Sequence, residues 1–433
     1  MGTVWQRPVN RALAATVAPT LAAGGCQGGR QARAHKGERS LGGGFTIVVS
    51  LEGQLRLDDQ PVWHRAATLA RRQPGACLIA LACRPEGQRL RGPHQRRLAA
   101  AAQGSLQVRL AAAGIPLHHL PQHSLDQALE LLGPTLRPDV VLKGQESRLF
   151  ADWPLPAETF PLVFSDFRRS LRVAPLPPLP LPPLQGVGEG LPSAPSSPAA
   201  CDPRSAFPFA GDEPTALARL QNYFFDSDGL RAYKATRNGL VGTAFSSKFS
   251  PFLSIGALSV RRLWHGVLQY QECWGADEGS EAMKQELLWR EFFLWSEQRH
   301  GAAFHAPSGV QGRLPEWEED RERFRRWTRG DSGHPLIDAQ LNELLATGYL
   351  SNRGRQWVAS HFINELRLPW TWGARFFEWA LIDAHPALNT GNWAYLAGVG
   401  SDPRSFGGSP RRFDLERQRR LYDPENLHRR RWA

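Results

Sequence analysis

Cysteine is scarce: five in 433 residues, at positions 26, 77, 83, 201 and 273, with no Cys-x-x-Cys pair. That spacing argues against a disulfide scaffold or a zinc module, and no metal site is expected. No run of 18 apolar residues occurs, so a conventional transmembrane helix is excluded and no membrane partner is expected. Acidic residues are outnumbered, 41 Asp+Glu against 52 Lys+Arg, a formal net charge of +11. The excess favours a polyanionic partner, although a basic surface alone accounts for many such balances. Tryptophan, by contrast, is abundant. Fifteen of them invite a reading as stacking or redox groups, and a 42% hydrophobic chain of this length can bury two or three cores.

Residues 1–44 hold six basic side chains (Arg7, Arg11, Arg30, Arg33, Lys36, Arg39) and one acidic one, Glu38, in an Ala- and Gly-rich setting. Arg-rich, acid-poor composition without an apolar secretory core reads as a transit peptide for a plastid or mitochondrion. The alternative is a disordered basic tail that touches nucleic acid, in a nuclear or cytoplasmic protein. Removing the segment takes much of the net charge with it, so an argument for a nucleic-acid partner must rest on local patches.

The body then divides. Phe45-Thr-Ile-Val-Val-Ser50, Cys77-Leu-Ile-Ala-Leu-Ala82 and Asp139-Val-Val-Leu142 are strand candidates, with helical stretches at Trp63–Arg72 and Leu125–Leu132 between them. Alternation of this kind predicts a parallel α/β sheet over 45–173. From Ala174 to Ala200 proline recurs (Pro175, Pro177, Pro178, Pro180, Pro182, Pro183), which marks an extended linker, taken here as 174–214. Amphipathic runs at 215–225, 257–271, 281–299, 336–347, 355–366 and 372–384 make 215–433 an all-α domain.

Three clusters carry chemistry. Glu286, Trp289, Arg290 and Phe293 recur at helical spacing and share one face, where an acid, an Arg and an indole among apolar neighbours need partners. A polar ligand against this face would satisfy them; an ordinary helix with an internal ion pair would do so too. Thr236-Arg-Asn-Gly239 and Ser246-Ser-Lys-Phe-Ser-Pro251 offer hydroxyls, a Lys and backbone N–H groups, as a phosphate cradle does; helix N-caps use the same letters. Asn352, Arg355, Asp383 and Asn389 are polar groups on otherwise apolar helices. Arg355 and Asp383 suit a buried pair, and an Asn beside it can serve either redox state of a ring nitrogen. A structural network joining helices is the competing reading.

Together, Tyr233-Lys-Ala-Thr-Arg-Asn-Gly239, Ser246–Pro251, Glu286-Leu-Leu-Trp-Arg290, Ser351-Asn-Arg-Gly-Arg-Gln356 and Gly391-Asn-Trp-Ala-Tyr-Leu-Ala-Gly-Val-Gly400 resemble the photolyase/cryptochrome family, in particular its DASH-type cryptochromes. The resemblance implies an FAD held by the helical domain. It implies that Tyr233 and the loop Ser246, Ser247, Lys248, Phe249, Ser250 contact its phosphates. Arg290, Asn352, Arg355, Asp383 and Asn389 would surround the ribityl chain and isoalloxazine, with Asn389 beside N5. Trp393, Trp370 and Trp317 match the family's electron relay. Glu286 matches the carboxyl that hydrogen-bonds a flipped pyrimidine dimer, and Trp289 the ring that stacks on it. Arg237, Asn352 and Arg353 match DNA-contacting positions, and Gln356 and Tyr395 carry the DASH letters. Those polar letters imply a less snug cavity and so a bias to single-stranded DNA, or RNA, where extruding a base costs little. A monomer is expected.

Three departures stand out. His385 follows where the family pattern has a second Asp. The stretch between Gly144 and Trp153 is shorter than in relatives. Leu51-Glu-Gly-Gln-Leu-Arg-Leu-Asp58 replaces an Arg-Asn-Asp pattern. The last two fall in the domain that holds or borders the family's folate antenna, 5,10-methenyltetrahydrofolate, and leave its binding open. The expected activity is blue-light-dependent repair of cyclobutane pyrimidine dimers, preferentially in single strands. The alternatives are a blue-light photoreceptor without repair and a nucleic-acid-binding member with impaired photochemistry. The basic C-terminal stretch, Arg411–Arg420 and Arg429–Arg431, reads as solvated surface or as extra phosphate contacts.

Overall fold

The computed structural model describes residues 45–84, 92–133, 137–152, 159–184, 201–402 and 410–433. The expected transit peptide lies outside the described residues, as does the linker stretch 185–200. Four parallel strands, β1 (Thr46–Ser50), β2 (Cys77–Cys83), β3 (Leu117–Leu120) and β4 (Val140–Lys143), form one sheet in the order β3-β2-β1-β4. Val48 aligns with Ile79 on one side and Val141 on the other. The two central strands are apolar almost throughout because helices cover both faces of such a sheet. Of the strands, only β3 contains no β-branched residue. Its sequence Leu-His-His-Leu sits at an edge, where His119 bonds Gln107 at 3.1 Å, and its polar letters hide it from a hydrophobicity reading.

The helices are α1 (Pro61–Arg72), α2 (Pro93–Ala111), α3 (Leu125–Leu132), α4 (Phe164–Ser170), α5 (Glu213–Gln221), α6 (Gly229–Thr236), α7 (Ser250–Ser254), α8 (Val260–Trp274) and α9 (Glu278–His300). After them come α10 (Ala302–His305), α11 (Arg321–Trp327), α12 (Pro335–Thr347), α13 (Asn352–Asn364), α14 (Trp370–Ala380), α15 (Pro386–Ala397), α16 (Leu415–Tyr422) and α17 (Leu427–Trp432). The chain divides into two compact units, one with the sheet, α1 and α3, the other with α4 to α17. Residues 174–184 of the proline-rich stretch form neither helix nor strand, as the missing N–H groups dictate. No helix among the described residues is long and apolar enough to cross a membrane.

Cap chemistry sets the helix starts. Asp277 and Ser280 form a reciprocal capping box for α9, Ser351 Oγ accepts from the Gly354 N–H at α13, and prolines open α12 and α15. Seven of the fifteen tryptophans are buried. Trp327, Trp357 and Trp370 are fully buried in one cluster built from α12 to α15. The C-terminal helix α17 is tied to α12 by a buried polar network in which His428 Nε2 lies 2.7 Å from Glu343 and Nδ1 lies 3.0 Å from the Gln340 amide nitrogen. Buried polar groups persist only when paired in this way.

His361 of α13 is an exception to that pairing. Its Nδ1 is buried without a partner, and burial first, then the neighbouring His334, lowers its pKa to about 4. The folded chain therefore keeps it neutral while the unfolded chain, with a pKa near 6.5, takes up the proton. Stability is present above pH 6.5 and is expected to fall by roughly 3 kcal/mol between there and pH 4. Thermal melts of His361→Leu across that interval should be flatter than wild type; parallel curves would remove the assignment.

Candidate functional site

A cavity of about 460 Å³ opens in the helical unit, within the range that holds small molecules and cofactors. One wall is α9. Glu286, Trp289, Arg290 and Phe293 all line it, as their spacing predicts. Helix α15, packed against α9, contributes Asn389, Trp393 and Tyr395. The two helices meet closely because Gly391 has no side chain. A Cβ there would come within 2.3 Å of the Phe293 ring.

Helix α14 sits behind α15 on a second such contact. The Trp393 indole lies over Gly373, whose Cβ would meet Cη2 at 2.3 Å. One residue on, Asn389 Nδ2 donates to the Ala374 carbonyl at 2.7 Å. That bond uses one amide N–H and leaves the amide oxygen, an acceptor, available.

At the α13 side, Arg355 and Asp383 form the expected pair. Arg355 Nη2 reaches Asp383 Oδ2 at 2.8 Å and Oδ1 at 3.0 Å, while Nε bonds the Leu350 carbonyl at 2.9 Å. Asp383 is almost fully buried, so its charge persists only because the guanidinium faces it. His385 stands two residues on, at the start of α15 and on the cavity lining.

The loop Ser246–Ser250 closes the far end. None of its hydroxyls caps α7, whose N-cap is Phe249 without a side-chain bond, so the capping reading of those letters does not hold. Instead Arg219 grips the loop by its backbone, Nε to the Ser247 carbonyl at 3.1 Å and Nη2 to the Ser246 carbonyl at 3.2 Å. Ser247 and Ser250 hydroxyls have no partner among the described residues. Lys248 adopts a left-handed φ of 63° and is buried, with Nζ 2.9 Å from Tyr349 Oη and 3.1 Å from the centre of the Phe245 ring. Burial pushes its pKa well below the usual lysine value. A buried ammonium held by a phenol and ring faces is a cation ready for an anion.

Glu286 is half-buried and forms an ion pair with Arg237 Nη1. Tyr233 lines the cavity beside them, its phenol pushed to a high pKa first by burial and then by Glu286. Asn352 and Gln356 stand on the lining from α13. Arg353 does not. It points to Asn238 Oδ1 at 3.0 Å, to Gln356 Oε1 at 2.9 Å and over the Tyr422 ring at 4.6 Å, so it braces the rim. Arg290, though on the lining, spends Nη1 on the Ser147 carbonyl at 3.1 Å and Glu291 Oε1 at 3.2 Å. Its first task is to anchor the short segment that follows Gly144.

The three relay candidates share one hydrophobic cluster. Trp393 faces the cavity; Trp370 starts α14 one turn before Gly373, with Nε1 donating to the Pro307 carbonyl at 2.9 Å. Trp317 is half-buried, and its neighbour Glu318 bonds the Arg367 carbonyl at 2.8 Å, just ahead of Trp370. Sequence reasoning missed Tyr349, which meets Lys248, and Asn392 and Arg411 on the lining. Asn392 is three residues from Asn389 and could have been found by helical spacing.

The donor set suits a flavin dinucleotide: a buried cation and free hydroxyls at one end, an acceptor amide and a fixed guanidinium among aromatic walls at the other. Comparison with known proteins agrees. Residues 283–433 match the family described as the FAD binding domain of DNA photolyase. The chain is 43% identical over 231 residues to Cryptochrome DASH of Synechocystis sp., covering 53% of this chain and 46% of that one. It is 41% identical over 217 residues to a rice protein (Oryza sativa subsp. japonica) named Cryptochrome DASH, chloroplastic/mitochondrial, 50% of this chain and 37% of that one. These matches span about half the length of the curated relatives or less. The solved structure of Synechocystis cryptochrome superposes with a TM-score of 0.76 at 30% identity, covering 89% of this chain and 88% of that one. The chain belongs to the photolyase/cryptochrome family, among its DASH cryptochromes, and its cofactor is FAD.

Proposed function

We propose that the protein repairs cyclobutane pyrimidine dimers in single-stranded DNA under blue light. The observation that carries this reading is that Glu286 and Trp289 of α9 line the same cavity as Asn389 and Trp393 of α15. Bound and reduced, the flavin would supply the light-driven electron. The chain's own residues do the rest. Arg237 occupies one oxygen of Glu286, and the other would accept from a base N–H. Trp289 offers an indole face to an extruded base. Asn389 offers an acceptor to a protonated ring nitrogen. The Lys248 ammonium and the Ser247 and Ser250 hydroxyls would hold phosphates. Trp393, Trp370 and Trp317 would carry an electron inward when the cofactor must be recharged.

Preference for single strands rests on Gln356 and Tyr395, polar groups that grip an extruded base less tightly than purely apolar ones and so return less of the flipping cost. The Arg-rich residues 1–44 and the name of the rice relative support plastid or mitochondrial residence. A photoreceptor without repair is the second reading, favoured by His385 on the cavity lining where the family pattern has an Asp.

Three measurements bear on this. Glu286→Gln is expected to lower dimer splitting in a single-stranded oligonucleotide about tenfold or more with a smaller loss of binding; equal losses would reduce Glu286 to a positioning group, and splitting by neither protein would favour the photoreceptor. Lys248→Met should purify with much less bound FAD than wild type, read from the flavin absorption band. Retention of full colour would take the lysine out of the phosphate site. Trp393→Phe should slow photoreduction of bound flavin by an order of magnitude or more, since no other indole lines the wall at that point; an unchanged rate would dispose of the relay.

A further inference from the structure

We infer that Phe164 is a positioning residue for lesion binding, acting through Trp289; the inference rests on the repair reading above. An indole has two faces. One face of Trp289 is covered by Phe164, with ring centroids 3.8 Å apart and planes 11° from parallel. Phe164 is buried and does not line the cavity, whereas Trp289 does, so the phenyl ring stands behind the indole as seen from the cavity. Three further rings surround Trp289. Phe292 and Tyr395 stand nearly perpendicular to it at 5.7 and 6.0 Å, and Phe293 is tilted by 34° at 5.4 Å.

Phe164 is itself pinned. It opens α4, and its ring meets Phe167 at 6.4 Å and the edge of Phe292 at 5.8 Å. An indole on a helix surface otherwise samples several rotamers and must be ordered when a base stacks on it. Here the phenyl ring makes that ordering a property of the folded chain, so an arriving base meets a flat, fixed platform. Such preorganisation raises affinity by cutting the cost of binding, without any contact between Phe164 and the ligand. A stacked aromatic pair corresponds to roughly a two- to tenfold effect on affinity.

The test compares Phe164→Leu, Phe164→Tyr and Phe160→Leu in flavin-loaded protein. Phe160 stacks on Phe292 and not on Trp289, so its substitution controls for damage to the aromatic cluster. The probe is a single-stranded oligonucleotide with one thymine dimer, beside its undamaged twin. Phe164→Leu should weaken dimer binding, and raise KM, by about fivefold. Binding of the undamaged strand, the flavin spectrum and the repair rate at saturation should stay as in wild type. Phe164→Tyr should restore affinity and Phe160→Leu should leave it alone. If wild type does not distinguish dimer from undamaged strand, the repair reading and this inference fall together. If it does, and Phe164→Leu behaves like wild type or no worse than Phe160→Leu, only the inference falls.

Discussion

The cavity depends on a missing carbon atom. Where Gly391 faces Phe293, α15 and α9 approach so closely that any side chain would have to displace a ring or a helix. That approach brings Glu286 and Trp289 of α9 and Asn389 and Trp393 of α15 to one cavity lining. A glycine inside a helix costs about 1 kcal/mol relative to alanine. The chain accepts that cost at Gly391, and again at Gly373 beneath Trp393, because packing of two helices through a small residue is what gives the cavity its width.

Charge inside this shell is handled by two different means. Asp383 is paired through two oxygens with a guanidinium, the arrangement that best offsets desolvation. Among the described residues, Lys248 has no carboxylate within bonding distance. It is held by a tyrosine hydroxyl and the face of Phe245, and burial favours its neutral form. The first pair is satisfied within the chain; on the reading proposed above, an anion would satisfy the second.

Much of this was legible from sequence, for reasons that differ by element. The face Glu286, Trp289, Arg290, Phe293 was readable because helical spacing brings residues three, four and seven apart together, whatever the tertiary fold. The pair Arg355–Asp383 was readable because a buried charge demands a partner and few were available. Strand β3 was not readable, since its two histidines carry no apolar signal and its pairing with β2 is long-range. The outward turn of Arg353 was hidden for the same reason: Asn238 and Tyr422, which hold it, lie 115 and 69 residues away. Tyr349 went unnoticed because nothing local marks a tyrosine as the partner of Lys248.

One seam joins the two kinds of chemistry. Asn389 and Trp393 stand one turn apart on α15, and the residues they rest on, Ala374 and Gly373, are adjacent on α14. On the reading proposed above, the first would meet the ring nitrogen of a bound flavin and the second would be the inner member of the relay with Trp370 and Trp317. Any shift of α14 against α15 would then move both side chains together, and the redox state of the cofactor and the rate of its recharging would answer to the same helix packing, while α9 would carry the groups that meet a lesion.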